Sequence, residues 1–565
     1  MTAPPPLPGS PAAPPARMGR ASALLASGTI VSRVLGFLSA FALTTVIGLN
    51  NQGANAFAVA NTLPNNILPL VSGGLLSATL VPAIVRAARH ADGGDVFVSR
   101  LITLGTTAFL VVTLVAVGLA PVLVGIYTAG GGGNALAGAG VQLTLAMSFW
   151  CLPQLFFYAL FALLGEVLNA RGVFGPVTWV PAINNIVVIA SLVLFWALFG
   201  NDHVERTAGT WTPAQVAVLA GGATLGVIVQ CIALAFFWRR TGLRFRIDFR
   251  WRGLGTVGRI GAWTFGMVLI SLVAGIVQTN IALTAGADDA SAAVLKTAWL
   301  IYVLPHSIIA LSIATAYYSR MSAHARDGRL ADMRADVSAS LRQIGLLVTG
   351  AAVALAVAAV PFAAFFSHTR GELTGTAFVL LGYLPGLVPF GILYVLQRAF
   401  FALADTRTPF WIQLLQGVLF CGLACTMLAA PGEWVAAGIA LATTVAGFVQ
   451  TLVSALVLRR RMGGIDGGRL LRRLGVFALA TIPAALVGLA VLAALGGLDL
   501  SQGIAAGHGF AAGLGFTAAS RGAAFVSVLV VGGVTALVYL AVLAALRVPE
   551  LRDLLAPVRR ILRRG

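Results

Sequence analysis

The 565-residue chain is 59% hydrophobic and 10% charged, whereas soluble domains carry about 25% charged residues, so a water-soluble globule is excluded. The net charge of +19 would suggest a nucleic-acid partner if the protein were soluble. Here the basic residues stand at the ends of long apolar blocks. Membrane topology and contact with anionic inner-leaflet lipids explain this pattern, and no nucleic-acid partner is expected.

The chain begins with residues 1–20, which are rich in Pro and Ala and lack an apolar core, and which we predict to be a disordered cytoplasmic tail. Fourteen apolar blocks follow, each long enough to cross a bilayer, which takes about 20 residues. Because backbone polar groups must be paired inside lipid, continuous apolar blocks predict α-helices. The chain is therefore expected to be an all-α polytopic membrane protein with about 14 transmembrane helices. The predicted spans are 22–47, 55–85, 98–127, 140–169, 178–199, 213–238, 257–286, 291–318, 337–366, 375–404, 409–430, 434–458, 474–496 and 522–546.

The loops between these spans alternate in charge, and most of the arginines fall in the set of loops that includes both chain ends. The positive-inside rule places this set, and both termini with it, in the cytoplasm. The opposite set contains only Arg206, Arg370 and Arg521. Strict alternation is what an even number of spans produces, so the span count and the orientation support each other.

Short proline motifs recur in the same order in the two halves of the chain. Leu63-Pro64 in span two is matched by Leu304-Pro305 in span eight, and Leu152-Pro153 in span four by Leu384-Pro385 in span ten. This repeat predicts two six-helix lobes related by an axis along the membrane normal, with the transport pathway between them. The predicted parts after the tail are an N-lobe (21–240), a basic cytoplasmic linker (241–256), a C-lobe (257–461), two C-terminal spans (462–546) and a cytoplasmic amphipathic basic helix (547–565).

Arg33 is the outstanding candidate for a binding residue, because it lies about 11 residues into span one (22 to 33), near the membrane centre. A charge at that depth costs about 2.5–3.5 kcal/mol on insertion scales. No acidic residue near the centre of another span can pair with it. An aqueous cavity with an anionic ligand accounts for such a cation; the alternative is that Arg33 caps carbonyl groups of a broken helix.

Span eight supplies two further candidates. Lys296, the single lysine of the chain, lies near its outer end and either binds the ligand or extends to the membrane surface. His306 lies deeper and is either a ligand-binding group or a hydrogen-bonded packing residue. Arg259 in span seven is either a cytoplasmic anchor or part of the inner mouth. Neutral polar residues that can line a pathway are Asn184, Asn185, Gln278 and Asn280.

No catalytic chemistry is expected from this sequence. It has no phosphate-binding loop, no paired carboxylates at the membrane centre and no nucleophile–base set. Its four cysteines lie in apolar blocks without histidine or acidic companions, which favours buried thiols over a metal site. We predict a transporter that is not an enzyme and has no cofactor. Since no ATPase domain is present, a coupling ion or the membrane potential is expected to supply the energy.

Several stretches form a set of motifs. They are Ser32-Arg33-Val34-Leu35-Gly36-Phe37, Leu63-Pro64-Asn65, Gly74-Leu75-Leu76-Ser77-Ala78, Val81-Pro82, and the segment from Arg398 to Pro409. This set resembles the lipid II flippase family MurJ (formerly MviN) of the multidrug/oligosaccharidyl-lipid/polysaccharide exporter superfamily. The similarity covers at least spans one to twelve, and members of the family have fourteen spans in the same two-lobe arrangement.

The resemblance implies a role in bacterial cell-wall synthesis and cell shape. A member would move undecaprenyl-pyrophosphate-linked disaccharide-pentapeptide across the inner membrane by alternating access. Cationic side chains in the central cavity would bind the pyrophosphate, the lipid tail would follow a groove toward spans 13 and 14, and proteins of cell-wall synthesis or division would be partners. Arg33 matches a cavity arginine of the family. The expected substrate-binding residues are Arg33, Asn65, Lys296, His306 and Arg259.

The chain also departs from the family pattern. Charged residues of other members are replaced by Asn55, Leu68, Pro69, Leu300 and Val303. Three alternatives therefore remain open: an exporter of another polyprenyl-linked polysaccharide unit, a cation-coupled drug antiporter, and a non-transporting membrane scaffold of the same fold. The antiporter requires carboxylates within the membrane, which the central parts of these spans lack.

Overall fold

The computed structural model describes residues 15–72, 84, 87–88, 92–131, 136, 138–200, 207–250, 262–286, 289–497, 515–552 and 554. Several predicted features lie wholly or partly outside this part of the chain. They are the N-terminal tail up to residue 14, the end of span two, the end of the basic linker from residue 251, the start of span seven with Arg259, and the amphipathic helix from residue 555 onward.

All regular secondary structure in the described residues is helical, which confirms the predicted fold class. Fourteen principal helices follow one another along the chain. They are α1 (Pro15–Ile47), α2 (Gln52–Ser72), α3 (Asp95–Gly118), α4 (Ala139–Ala170), α5 (Gly175–Phe199), α6 (Pro213–Thr241), α7 (Ala262–Ala282), α8 (Ala292–Arg326), α9 (Leu330–Val357), α10 (Arg370–Ala402), α11 (Arg407–Ala429), α12 (Gly432–Met462), α13 (Gly467–Ala494) and α14 (Arg521–Ala545). Shorter helices are Ala120–Thr128, Ala359–Phe366 and Gly515–Ala519.

Thirteen of the principal helices are long and apolar enough to cross a membrane. They coincide with thirteen of the predicted spans. Helix α2 occupies the beginning of the remaining predicted span, 55–85, of which residues 73–83 are not described. The chain is thus a multi-pass membrane protein with the helix order that the apolar blocks predict.

Prolines interrupt three helices where the sequence repeat occurs. Helix α4 breaks between Cys151 and Gln154, around Pro153, and helix α10 contains a 3-10 turn at Leu384–Gly386. In helix α8 a π-helical turn, His306–Ala310, follows Pro305 directly. Proline removes a backbone donor and its ring crowds the preceding turn, so irregular turns at these positions are expected.

Each half of the chain packs around its own apolar core. One set of buried side chains joins α2, α4, α5 and α6, and another joins α8, α9, α10 and α12. Helices α13 and α14 pack against α9, where the Tyr539 hydroxyl donates a hydrogen bond to the Leu346 carbonyl at 2.9 Å. The two C-terminal helices are therefore attached to the second lobe.

The basic linker runs in an extended conformation along α3. Side chains one helical turn apart on α3 accept hydrogen bonds from alternate backbone N–H groups of the linker: Asp95 from Arg244 (3.1 Å), Ser99 from Arg246 (3.1 Å) and Thr103 from Asp248 (3.2 Å). Arg100 pairs with Asp248 at 2.8 Å, and this pairing holds the pKa of the Asp248 carboxyl below its usual value. The linker is fixed to the first lobe by its backbone, which leaves Phe245, Ile247 and Phe249 exposed.

Candidate substrate site between the two lobes

One end of the interface between the lobes is closed by polar contacts. The Glu372 carboxylate at the start of α10 accepts hydrogen bonds from the backbone N–H groups of Leu49 (2.8 Å) and Asn50 (3.2 Å), in the turn between α1 and α2. The Asn55 side chain of α2 accepts one from the backbone N–H of Ala293 at the start of α8 (3.1 Å). We call this set of contacts the clasp. In the predicted topology it lies on the outer side.

Arg521 at the start of α14 extends the clasp. Its guanidinium donates to the Thr45 hydroxyl at 2.6 Å, contacts the His368 ring, and lies over the Phe41 ring with 5.5 Å between the guanidinium carbon and the ring centroid. Arg521 is one of the few arginines of the predicted outer loops. In the structure, Arg521 therefore connects the start of α14 to the end of α1.

Beneath the clasp lie three neighbouring cavities that share lining residues. The N-lobe cavity, of about 440 Å³, is bordered by α1, α2, α4, α5, α6 and α8. The middle cavity, of about 260 Å³, lies between α2, α7, α8, α10 and α12, and the C-lobe cavity, of about 370 Å³, lies between α7, α8, α10, α11 and α12. Trp299 lines all three. We call the three cavities together the chamber, and this is where we place the candidate site.

Lys296 lines both the N-lobe cavity and the middle cavity. Its side chain is exposed to the chamber. None of the described residues that line the three cavities is an aspartate or a glutamate. A cation without an acidic neighbour in such a chamber attracts an anionic group. The structure thus places Lys296 in the lining of the chamber, and the polar residues that line the same cavities include Asn61, Asn66 and Gln154.

Arg33 lies on the side of α1 that faces the same chamber. It precedes Gly36, Ala40 and Thr44 by 3, 7 and 11 residues, spacings that keep side chains on one face of a helix, and these three residues line the N-lobe cavity. Arg33 is exposed, and within the described part of the chain it forms no ion pair. Arg33 therefore lies one turn from the lining residue Gly36, on the side away from the clasp.

His306 is packed against the C-lobe. Its ring centroid lies 4.1 Å from that of Phe390 and 5.3 Å from that of Tyr394. The Nδ1 atom is buried and has no hydrogen-bond partner among the described residues. Both aromatic neighbours line the C-lobe cavity, so His306 stands directly behind its wall.

The structure does not bring Asn65 into the lining of these cavities. Its amide donates to the Asn61 carbonyl at 2.7 Å, and its side chain is exposed. Asn61 and Asn66 on the same helix line the chamber instead. One residue along a helix turns the side chain by about 100°, and the motif alone did not show which of these asparagines faces inward.

The polar residues expected along the pathway divide into two groups. Asn184 and Asn185 line the N-lobe cavity, and Gln278 lines the middle and C-lobe cavities. Asn280 has another role: its side chain accepts a hydrogen bond from the Gly130 backbone N–H at 2.7 Å and donates to the Ile126 carbonyl at 2.8 Å. This joins α7 to the end of the first lobe.

Of the five glutamines that line the C-lobe cavity, only Gln278 was expected from the sequence. Gln397, Gln413, Gln416 and Gln450 all line this cavity. The available signal was the pair Gln413 and Gln416, three residues apart inside an apolar block. In the described residues, no cluster of three or more His, Cys, Asp or Glu residues is arranged to hold a metal ion.

Several proteins described as probable lipid II flippases are similar to this chain in sequence. The chain is 26% identical to the probable lipid II flippase MurJ of Haemophilus influenzae over 495 residues, which cover 82% of this chain and 90% of that protein. It is also 26% identical to the probable lipid II flippase MurJ of Rhizobium meliloti over 84% of this chain and 85% of that protein.

Solved structures share the fold. A structure of the lipid II flippase MurJ in an inward closed conformation superimposes with a TM-score of 0.70 over 94% of this chain and 99% of that chain, at 18% identity. An inward-facing MATE family multidrug transporter gives a TM-score of 0.58 over 78% of this chain and 94% of that chain, also at 18% identity. A family model described as lipid II flippase MurJ matches residues 43–499. By this match over most of its length, the chain belongs to the MurJ family of lipid II flippases.

Proposed function

We propose that this chain moves the lipid-linked peptidoglycan precursor, lipid II, from the inner to the outer leaflet of the bacterial inner membrane by alternating access. Family membership makes the chain a membrane transporter and not an enzyme. One observation carries the choice of an anionic cargo. The chamber between the lobes holds Lys296, and no carboxylate belongs to its described lining.

In this proposal the pyrophosphate binds the cations of the chamber. Lys296 is the contact in the middle of the chamber, and Arg33 is the contact on the side away from the clasp. His306 and Arg259, with Asn65, complete the set of candidate residues; Arg259 lies outside the described residues. Hydrogen bonds between an ammonium or guanidinium group and phosphate oxygens are stronger than hydrogen bonds between neutral groups. They can therefore hold the cargo in a chamber that contains water.

The clasp supports alternating access, because a transporter of this kind must close one end of its pathway while the other end admits the cargo. With both termini in the cytoplasm, the closed end is the outer one. The proposed cycle breaks the hydrogen bonds of Glu372 and Asn55 across the lobe interface and forms new contacts on the inner side. The lipid tail would remain outside the chamber, along a groove toward α13 and α14.

The membrane potential is the proposed energy source. A potential that is negative inside favours outward movement of an anion by about 2.3 kcal/mol per charge per 100 mV. A coupling cation would find no carboxylate in the described lining of the chamber. This also speaks against the cation-coupled drug antiporter.

The inner leaflet is the proposed contact of the basic linker. Arg244, Arg246 and Arg250 alternate with exposed apolar side chains, a pattern that suits anionic head groups beside acyl chains. Proteins of cell-wall synthesis or division are the proposed macromolecular partners.

Export of a different polyprenyl-linked polysaccharide unit is the second candidate. The observation in its favour is that Leu300 and Val303, at positions where the family resemblance implies charges, line the N-lobe cavity. Fewer charges in the chamber would suit another head group on the same carrier lipid. A scaffold without transport activity is the third alternative.

A depletion strain tests the proposed function. Wild-type chain is expected to sustain growth of cells depleted of their own lipid II flippase and to restore lipid II in the outer leaflet. Arg33→Ala is expected to insert normally and to fail in both respects. Stable insertion of the wild type without lipid II in the outer leaflet would favour the second candidate, whereas full function of Arg33→Ala would contradict the role given to Arg33.

A further inference from the structure

The C-lobe cavity differs in chemistry from the rest of the chamber. Five glutamines border it: Gln278 on α7, Gln397 on α10, Gln413 and Gln416 on α11, and Gln450 on α12. No aspartate, glutamate, lysine or arginine is among its described lining residues. Its volume of about 370 Å³ falls in the range of small-molecule sites, about 300–1,000 Å³. A charge-free cavity bordered by many amides is suited to a neutral, hydroxyl-rich ligand.

Three of the glutamines, Gln450, Gln413 and Gln416, form a chain of hydrogen bonds beside the cavity. Gln450 donates to the Gln413 side-chain carbonyl at 2.7 Å, and Gln413 donates to that of Gln416 at 3.2 Å. Each amide has two N–H donors and a carbonyl with two lone pairs. The Gln416 N–H₂ group and the Gln450 carbonyl therefore keep free capacity, and neither has a partner within the described part of the structure. The two residues that carry this donor and this acceptor both line the C-lobe cavity.

Aromatic rings line the C-lobe cavity around Trp299, which also lines the two cavities that contain Lys296. The Trp299 ring centroid lies 5.0 Å from that of Tyr302 and 6.0 Å from that of Phe390. Tyr302 and Phe390 stack at 5.9 Å. The faces of aromatic rings carry partial negative charge, and the C–H groups of a sugar ring carry partial positive charge. Ring faces beside amide hydrogen-bonding groups thus match both sides of a pyranose, its C–H face and its hydroxyl rim.

The position of the cavity fits a headgroup held at two points. Trp299 lines the C-lobe cavity and also both cavities that Lys296 lines. The cavity that Lys296 lines shares Gly275, Gln278 and Thr443 with the C-lobe cavity as well, so a ligand with its anionic group at Lys296 has the glutamines in the neighbouring cavity. An anion gains little in the C-lobe cavity, where no cation is present, and a cation finds no carboxylate there.

We propose that the C-lobe cavity is the subsite for the neutral glycan of the lipid-linked cargo, with Gln413, Gln416 and Gln450 as its hydrogen-bonding groups and Trp299 as its stacking surface. This proposal rests on the proposed function and assigns separate parts of the cargo to separate parts of the chamber. The cations of the chamber bind the pyrophosphate, and the glutamines of the second lobe recognise the sugar.

Paired ligands separate the two contributions. The affinity of purified full-length chain is measured for undecaprenyl pyrophosphate and for undecaprenyl-pyrophosphoryl disaccharide. The wild type is expected to bind the glycosylated lipid more tightly. Gln416→Ala and Gln450→Ala are each expected to weaken binding of the glycosylated lipid about fivefold to tenfold, since a neutral hydrogen bond contributes about 1 kcal/mol, and to leave the bare lipid unaffected.

Controls assign each outcome. Gln343→Ala on α9, a half-buried glutamine away from the cavities, is expected to change neither affinity. Lys296→Ala is expected to weaken both. The folding of Gln416→Ala and Gln450→Ala is compared with that of the wild type by thermal unfolding. Because Gln416 accepts only the hydrogen bond from Gln413, Gln416→Ala still tests the glycan subsite if Gln450→Ala fails to fold.

Three results would overturn the glycan subsite while leaving the proposed function intact. The first is equal wild-type affinity for both lipids, and the second is equal weakening of both lipids by Gln416→Ala. The third combines two measurements. If Na⁺ raises the melting temperature of the wild type but not that of Gln416→Ala, and the variant keeps both lipid affinities, the cavity is a cation site. A wild type that binds neither lipid contradicts the proposed function itself.

Discussion

Replacing Lys296 by alanine tests the electrostatic basis of the proposed function. The side chain lines two of the three cavities, and no described carboxylate of the lining neutralises it. Two unit charges 4 Å apart interact by about 1 kcal/mol in water and about 4 kcal/mol at the effective dielectric constant of a protein surface. A hydrogen bond to a charged group contributes about 1.5–3 kcal/mol, which lies between these limits. Lys296→Ala should therefore weaken binding of undecaprenyl pyrophosphate about 10- to 150-fold.

The measurement is a titration of the purified protein with undecaprenyl pyrophosphate at constant ionic strength. Lys296→Arg keeps the charge and should retain most of the affinity. Arg469→Ala removes an exposed cation at the start of α13, outside the three cavities, and serves as the matched control. Because Lys296 is the single lysine of the chain, amine-directed labelling of a protein with a blocked N-terminus reports on this residue alone, and the bound lipid should protect it.

Binding of undecaprenyl pyrophosphate by Lys296→Ala within twofold of the wild-type affinity would contradict the electrostatic role of Lys296. Labelling of Lys296 that continues at the same rate with saturating lipid would refute it independently. Either result would mean that the pyrophosphate is held elsewhere or that the chamber binds a different ligand.

Two further predictions concern closure and packing. Glu372→Ala removes the acceptor of the Leu49 and Asn50 N–H groups, and each of these hydrogen bonds contributes about 1.5–3 kcal/mol. The closed state should therefore be less populated, and the rate at which Lys296 is labelled from the outer side should increase at least tenfold. An unchanged outer labelling rate would contradict the role of the clasp. Tyr539→Phe loses the hydrogen bond to the Leu346 carbonyl and should lower the free energy of unfolding by about 1 kcal/mol without loss of transport; a transport defect at normal stability would show that α14 takes part in the cycle.

The helices of this protein could be predicted from its sequence because lipid leaves the backbone little choice. Apolar blocks without charges must become helices that pair their own N–H and C=O groups, and the thirteen helices that meet the length and hydropathy of a span follow the predicted order. The prolines of the repeat do not all act alike: irregular turns occur at Pro153, Pro305 and Pro385, whereas Pro64 lies within the continuous helix α2. The isolation of Arg33 from acidic residues was also visible, since acidic residues are absent from the central parts of the spans.

What the sequence could not supply is the rotation of each helix about its axis. In a soluble helix the polar side marks the surface, but the lipid-facing and protein-facing sides of a membrane helix are both apolar, so periodicity does not tell them apart. The predicted Asn65 therefore proved to be a neighbour of the lining residues Asn61 and Asn66.

Tertiary structure alone decided which distant residues meet. Glu372 pairs with the backbone of Leu49 across the lobe interface, and the Gln450 side chain on α12 bonds that of Gln413 on α11. Such pairs depend on how helices pack against one another, which short-range patterns along the chain do not record. The sequence by itself determined the membrane helices, their order and the uncompensated cations, because these follow from hydropathy and charge residue by residue. The clasp, the chamber and its glutamine-lined side exist only because packing brings together residues that are far apart along the chain, such as Gln413 and Gln450, 37 positions apart, and Leu49 and Glu372, 323 positions apart.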